Sequence, residues 1–135
     1  MNSFITFVRE RFGHNRLHGS AIQYESGGSH DNIGYWFHPA DWADWDFKVK
    51  RPGKFIVTAE IATPALTSFE LSVAGQTFRC AAPVTENFDT FQNVTLASLE
   101  IPTPGKFTAA VHPIKGGWQP MNLKSIELKP VAANP

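Results

Sequence analysis

The feature that most constrains this chain is a two-residue alternation that recurs between turn-forming residues. In "ADWDFKV", Ala43, Trp45, Phe47 and Val49 alternate with Asp44, Asp46 and Lys48. An extended backbone therefore carries an apolar row on one face and a charged row on the other. "KRPG" at 50–53 follows as a turn, with Pro52 presetting φ and Gly53 accepting a positive φ. "KFIVTAEIA" then turns Phe55, Val57, Ala59 and Ile61 inward, and "FELSV" does the same with Phe69, Leu71 and Val73. Ala74-Gly75 reverses the chain into "QTFRCA", and "QNVTLASLEI" and "FTAAV" continue the series around "PTPGK". "PGKF" opens a strand twice, at 52–55 and 104–107, which is one hairpin chemistry reused and too few copies for a solenoid. In the closing "MNLKSIELKP", Ile126 and Leu128 are out of phase with Met121 and Leu123, which predicts a bulge.

Many short strands at regular spacing predict an all-β chain folded as a β-sandwich or barrel, at this size a jelly roll or Greek key. The expected organisation is an N-terminal extension or linker over 1–18, a β-sandwich domain over 19–130 and a loose tail over 131–135. Within the extension, Phe4, Val8 and Phe12 fall on one side of a short helix over 2–12 that Gly13 would end, and "GHNRLHGS" reads as a connector.

The chain has 135 residues, enough for one core and too few for two domains. Twelve Lys and Arg balance twelve Asp and Glu, which argues against a nucleic-acid or membrane-surface binder. The single cysteine, Cys80, reads as a small buried residue and not a nucleophile. "MNSFITFVRERFGH" lacks an apolar run of signal-peptide length, and no segment is apolar enough to span a bilayer. The compartment stays open.

No catalytic constellation stands out. Histidines 14, 18, 30, 38 and 112 are scattered, and the one close pair, His14 and His18, has no third ligand for zinc. Asp44 and Asp46 share a strand face at a separation of about 6–7 Å, within the range of glycosidase carboxylates. They look equivalent and solvated, whereas a working acid and base need environments that set them apart. No activated serine or cysteine setting occurs, "SGGS" at 26–29 lacks the lysine of a phosphate loop, and the sequon at Asn93 matters only in a eukaryotic secretory protein. Aromatic residues carry the stronger signal. Trp45 follows the inward alternation, and Trp42 packs at the strand entry. Alternation cannot bury Tyr35, Trp36 and Phe37 together, Phe88 lies in the loop "TENFDTF", and Trp118 stands in "KGGWQPMN". Loop aromatics beside Asn and Asp suit a sugar, whose apolar ring face stacks while its hydroxyls need fixed polar partners.

"IGYWFHPADWADWDFKVKRPGKFIVTAEI", "NFDTFQNVTL" and "GGWQPMNLKSIEL" resemble, in that order, segments of family 6 and family 35 carbohydrate-binding modules. The likeness is greatest to the accessory module at the C-terminal end of some bacterial α-L-fucosidases and related glycan-degrading enzymes. The resemblance implies a galactose-binding-like jelly roll that binds glycans through loops at one edge. It places Tyr35 or Trp36 at the first-loop aromatic, Phe88 at the stacking tryptophan, and Asn122 at the asparagine that bonds sugar hydroxyls; Trp118 becomes an extra wall. The family's calcium motif is partly echoed by Gln23 and Glu25 in "AIQYE", and no cofactor is otherwise implied. The expected function is a non-catalytic module holding an oligosaccharide or polysaccharide, extracellular or periplasmic if it serves an exported enzyme. The alternative is an interaction domain bracing a glycoside hydrolase or sulfatase, with Trp36 and Trp118 as interface anchors. A small enzyme using Asp44 and Asp46 ranks third.

Overall fold

The structure is a computed structural model and describes residues 5–7, 15–25 and 31–131. Its strands, in chain order, are β1 (Ile5–Phe7), β2 (Asn15–His18), β3 (Gln23–Glu25), β4 (Asn32–Gly34), β5 (Trp42–Val49) and β6 (Gly53–Ala62). They continue as β7 (Thr67–Val73), β8 (Gln76–Ala82), β9 (Gln92–Ile101), β10 (Gly105–Pro113) and β11 (Asn122–Pro130). One sheet runs β3-β4-β11-β6-β9, with β1 also on β11, and the other runs β2-β5-β10-β7-β8. Every pairing is antiparallel, and together the sheets make the expected sandwich.

The alternation works as read. Ala43, Trp45, Phe47 and Val49 from one sheet meet Phe55, Val57, Ala59, Ile61, Ile126 and Leu128 from the other in a single buried cluster. Phe69, Leu71 and Val73 close its far side. The predicted bulge lies between Leu123 and Ser125, where the β11–β6 register shifts. Lys124 is the surplus residue, so Leu123 and Ile126 both face the core despite opposite parity. A second shift, in β9 opposite Val57 and Thr58, was not foreseen. The two "PGK" turns are alike in backbone, with Gly53 at φ +150° and Gly105 at φ +142°. Ala74 and Gly75 take φ of +51° and +80° in a two-residue hairpin, the pattern that matches strand twist.

Two expectations about the N-terminal segment need correction. Among the described residues there is no helix: residues 5–7 form β1 on the edge of β11, and the rest of the expected 2–12 helix lies outside the described residues. The connector "GHNRLHGS" contributes β2, which pairs with β5 from Asn15↔Trp45 to His18↔Trp42. Tertiary pairing outweighs a weak helical period in so short a segment. At the other end, the Val131 amide donates to Lys54 O at 2.9 Å, and residues 132–135 lie outside the described set.

Candidate functional site

At one rim of the sandwich, the end of β3, the chain after β4, the β8–β9 loop and the start of β11 enclose a groove of about 200 Å³. Glu25, Tyr35, Trp36, Phe37, Phe88, Asp89, Pro120, Met121 and Asn122 line it.

The first wall is a local alternation. In "YWF", Tyr35 and Phe37 point out, 48% and 51% exposed, while Trp36 points in at 1%. The two outer rings meet edge to face, centroids 6.2 Å apart. Tyr35 has φ +53°, a conformation that costs a non-glycine residue roughly 1–2 kcal/mol. Trp36 is fastened at both ends. Its Nε1 donates to Asp41 O at 2.8 Å, and its carbonyl accepts from Trp118 Nε1 at 3.1 Å. The two indoles pack with centroids 5.0 Å apart.

Asp41 anchors this wall. Its buried carboxylate accepts from the amides of Ser20, Ala21 and Ile22 at 3.2, 3.1 and 3.0 Å. Gly19 makes room for it: a Cβ there would stand 2.0 Å from Asp41 Oδ1. Burial by itself would raise the Asp41 carboxyl, but the amides of Ile22, Ala21 and Ser20 outweigh it and hold it below the usual range.

The opposite wall is the β8–β9 loop. Thr63 and Thr85 exchange backbone and hydroxyl bonds, among them Thr85 N to Thr63 O at 2.8 Å and Thr63 N to Thr85 Oγ1 at 2.9 Å. Asn87 Oδ1 accepts from the amides of Asp89 and Thr90 at 2.8 and 2.7 Å, an Asx turn. Asn122 Nδ2 then donates to Phe88 O at 3.0 Å. A carbonyl only accepts, so this bond fixes which way the amide faces. Phe88, 37% exposed, is left presenting its ring to the groove.

At the groove's end stands Glu25. Its Oε1 accepts from Asn32 Nδ2 at 3.2 Å, and it crosses over Gly34. It does not make the calcium site that "AIQYE" suggested. Gln23 turns its amide nitrogen to Ala21 O, at 3.4 Å. Among the described residues no three His, Cys, Asp or Glu side chains converge, whereas calcium takes roughly six to eight oxygens.

The structure thus brings Tyr35, Trp36, Phe88 and Asn122 together and leaves Trp118 out. Trp118, expected as an outer wall in a loose loop, is a correction: it is 8% exposed, lies behind Trp36 and does not line the groove. Its loop is tied to β7, with Ser68 N donating to Gly117 O at 2.8 Å and Gln119 N to Thr67 Oγ1 at 2.8 Å. Gly116 takes φ +90°, and a Cβ on Gly117 would sit 3.0 Å from Ser68 Cβ, so the two glycines let the strand neighbour close and the indole swing inward. With Trp36 and Trp118 both sealed, neither can anchor a partner protein. Sequence reading missed Glu25, Phe37, Asp89, Pro120 and Met121 as lining. Phe37 had a signal, the same parity as Tyr35; Glu25 had none, because its place depends on pairing across a hairpin with Gly34 and Asn32.

Asp44 and Asp46 are not a catalytic pair, nor merely solvated. Arg16 from β2 spans both: Nε and Nη2 reach Asp44 at 3.0 and 3.0 Å, and Nη1 and Nη2 reach Asp46 at 2.9 and 2.8 Å. His18 Nε2 lies 2.9 Å from Asp44 Oδ1. Burial would raise the Asp44 carboxyl, yet Arg16 and His18 hold it below the usual range. Cys80 is buried as expected, and burial pushes its thiol up to about 11, which removes it as a nucleophile at neutral pH.

No protein-family model matches the sequence, and no curated protein is similar to it at a significant level. Solved structures are similar in fold. CBM35 from Cellvibrio japonicus Abf62 superposes with a TM-score of 0.73 at 16% identity, over 98% of this chain and 95% of that one. The C-terminal CBM6 of LamC, a marine laminarinase from Zobellia galactanivorans, gives 0.72 at 16% over 94% and 99%. The GH26-CBM35 β-(1,4)-mannanase of Podospora anserina gives 0.68 at 14%, over 98% of this chain but only 28% of that one. This chain therefore spans a little over a quarter of that enzyme and nearly the whole of the isolated modules. At this identity the likeness establishes the fold: the jelly-roll sandwich of carbohydrate-binding modules.

Proposed function

We propose that this chain is a non-catalytic carbohydrate-binding module, of the accessory kind found beside α-L-fucosidases and related glycan-degrading enzymes. The observation that carries the reading is the groove itself. Two rings on opposed, hydrogen-bonded walls, Tyr35 and Phe88, face a space of about 200 Å³ that also holds the Asn122 amide and the Glu25 carboxylate. A pyranose laid against these rings stacks its C–H face while its hydroxyls reach the amide and the carboxylate. The space falls below the ~300–1,000 Å³ of sites that enclose drug-sized ligands, so one ring or a chain end enters and affinity is modest. The sandwich shared with modules of a laminarinase and of a mannanase supports the same reading. Affinity electrophoresis through soluble polysaccharides tests it: the mobility of the wild type is retarded by at least one, and that of Phe88→Ala is not. Wild-type migration unaffected by every polysaccharide, and silence on a broad glycan array, would end the proposal.

A second reading, a domain that braces a catalytic partner, draws on the mannanase, in which a comparable module is one part of a longer chain. With Trp36 and Trp118 sealed, it rests on Tyr35 and Phe37 as contacts. It predicts stable co-migration with a glycoside hydrolase that persists under competing free sugar.

A further inference from the structure

The groove carries a carboxylate at its end: Glu25 lines it, and among the described lining residues there is no lysine, arginine or histidine. The Glu25 carboxylate is built in. Asn32, wholly buried, spends its Nδ2 on Glu25 Oε1 at 3.2 Å, while its own Oδ1 is buried with no hydrogen-bond partner. Native structures seldom leave a buried acceptor unpaired, so here the interior carries a penalty in order to hold a carboxylate at the rim. Gly34 on the paired strand leaves the space for it: a Cβ there would lie 1.9 Å from Glu25 Oε1. Any other residue at 34 would push the carboxylate away.

Resting on the carbohydrate reading above, we infer that the groove sorts saccharides by charge, taking a ring that offers hydroxyls or a protonated amine and refusing one that bears a carboxylate or sulfate. The space admits about one ring, so the substituents on that ring meet Glu25 at close range. An anionic substituent about 4 Å from the carboxylate loses about fivefold in affinity even at the dielectric of water, and more as the groove dries. A protonated amine gains by the same interaction, and a hydroxyl donates to the carboxylate in a charge-assisted bond. The aromatic walls set whether a ring binds and favour a protonated amine in the same direction as Glu25, whereas the carboxylate alone disfavours an anionic substituent.

The test is an array of backbones in matched charge forms, probed with the wild-type chain and Glu25→Gln. Suitable sets are cellohexaose with its fully deacetylated glucosamine counterpart and its uronate counterpart, mannohexaose with hexamannuronate, and neutral galactans with their sulfated forms. The expected result is that every bound member is neutral or amino-bearing, with each acidic counterpart at least about fivefold weaker. Glu25→Gln, which keeps the Asn32 bond, narrows the gap between neutral and acidic members and weakens the amino form. A uronate or sulfated member bound as tightly as its neutral counterpart, with or without added calcium, overturns the inference and leaves carbohydrate binding standing. So does a gap between neutral and acidic members that is as wide in Glu25→Gln as in the wild type. Failure to bind every member on every backbone instead removes the carbohydrate reading, and this inference with it.

Discussion

Acidic and aromatic side chains meet at two places in this molecule, and the two are chemically opposite. On the outer face of the five-stranded sheet, Trp42 is stacked between His18 at 3.9 Å and His112 at 4.3 Å. Beside it Asp44 and Asp46 divide one guanidinium, and Thr108 Oγ1 adds a bond to Asp46 at 3.1 Å. At the rim, Tyr35, Phe37 and Phe88 are open, and Glu25 is held from behind by Asn32 with no cation facing it among the described residues. Both places have the residue types of a sugar site. Only the rim keeps its rings uncovered around an open space, because the sheet face has already answered its own chemistry. The lesson is that a binding site is recognised by what its neighbours leave undone, not by its composition.

The largest way to break the contrast is Asp41→Ala. It orphans the amides of Ser20, Ala21 and Ile22, and the expected loss is about 3 kcal/mol or more, read by denaturant melts. The same residue gives a pH signature. Its folded pKa is depressed from 3.8, so its contribution is fully present above the unfolded value and lost as pH falls through the folded one. Melting temperature should hold from neutral pH to about 5 and fall below 4, with the gap between wild type and Asp41→Ala closing there. Asp44, shifted the same way, adds to the fall.

Next in size, Phe88→Ala should cost about tenfold or more in glycan affinity, measured by isothermal titration. Trp42→Ala sharpens the comparison from the other side: it lowers the melting temperature, at a cost of about 2 kcal/mol, and leaves groove affinity unchanged. A glycan affinity that drops with Trp42 would mean the sheet face is not closed after all. Smaller still is Trp118→Phe, which keeps the bulk and removes the Nε1 bond to Trp36 O, about 1 kcal/mol. If that bond holds Tyr35 in its positive-φ conformation, Trp118→Phe and Tyr35→Ala should be non-additive in a double-mutant cycle of binding. Arg16→Met, the smallest, should make stability less sensitive to salt, since its bridge to Asp46 is exposed.

How much of this was legible in the sequence follows from how local each cause is. The inward rows of β5, β6 and β7 and the bulge in β11 depend on parity alone, and parity is printed in the chain. Phe88 stood out by its place in a loop, and Asn122 at the head of the closing strand was named through resemblance. The burial of Trp118 was not legible, because it depends on Gly117 lying against Ser68 and on Thr67 receiving the Gln119 amide, about fifty residues away in the chain. The anchoring role of Asp41 was not legible, since its three amide partners lie about twenty positions earlier. β1 and β2 were missed for a like reason: strands of three and four residues have too little pattern to outvote a spurious helical period.

The surplus residue in β11 has a consequence for the shape of the groove. Upstream of Lys124, Asn122 faces the groove while Leu123 faces the core; downstream, even-numbered Ile126 and Leu128 hold the core positions. Deleting Lys124 alone would restore plain alternation and keep Leu123 inward, whereas losing a second residue here would turn Leu123 toward the groove and drive the Asn122 amide into the interior. Indel tolerance here is therefore a question of groove lining as much as of folding, and the length of the final strand belongs among the determinants of the groove's shape.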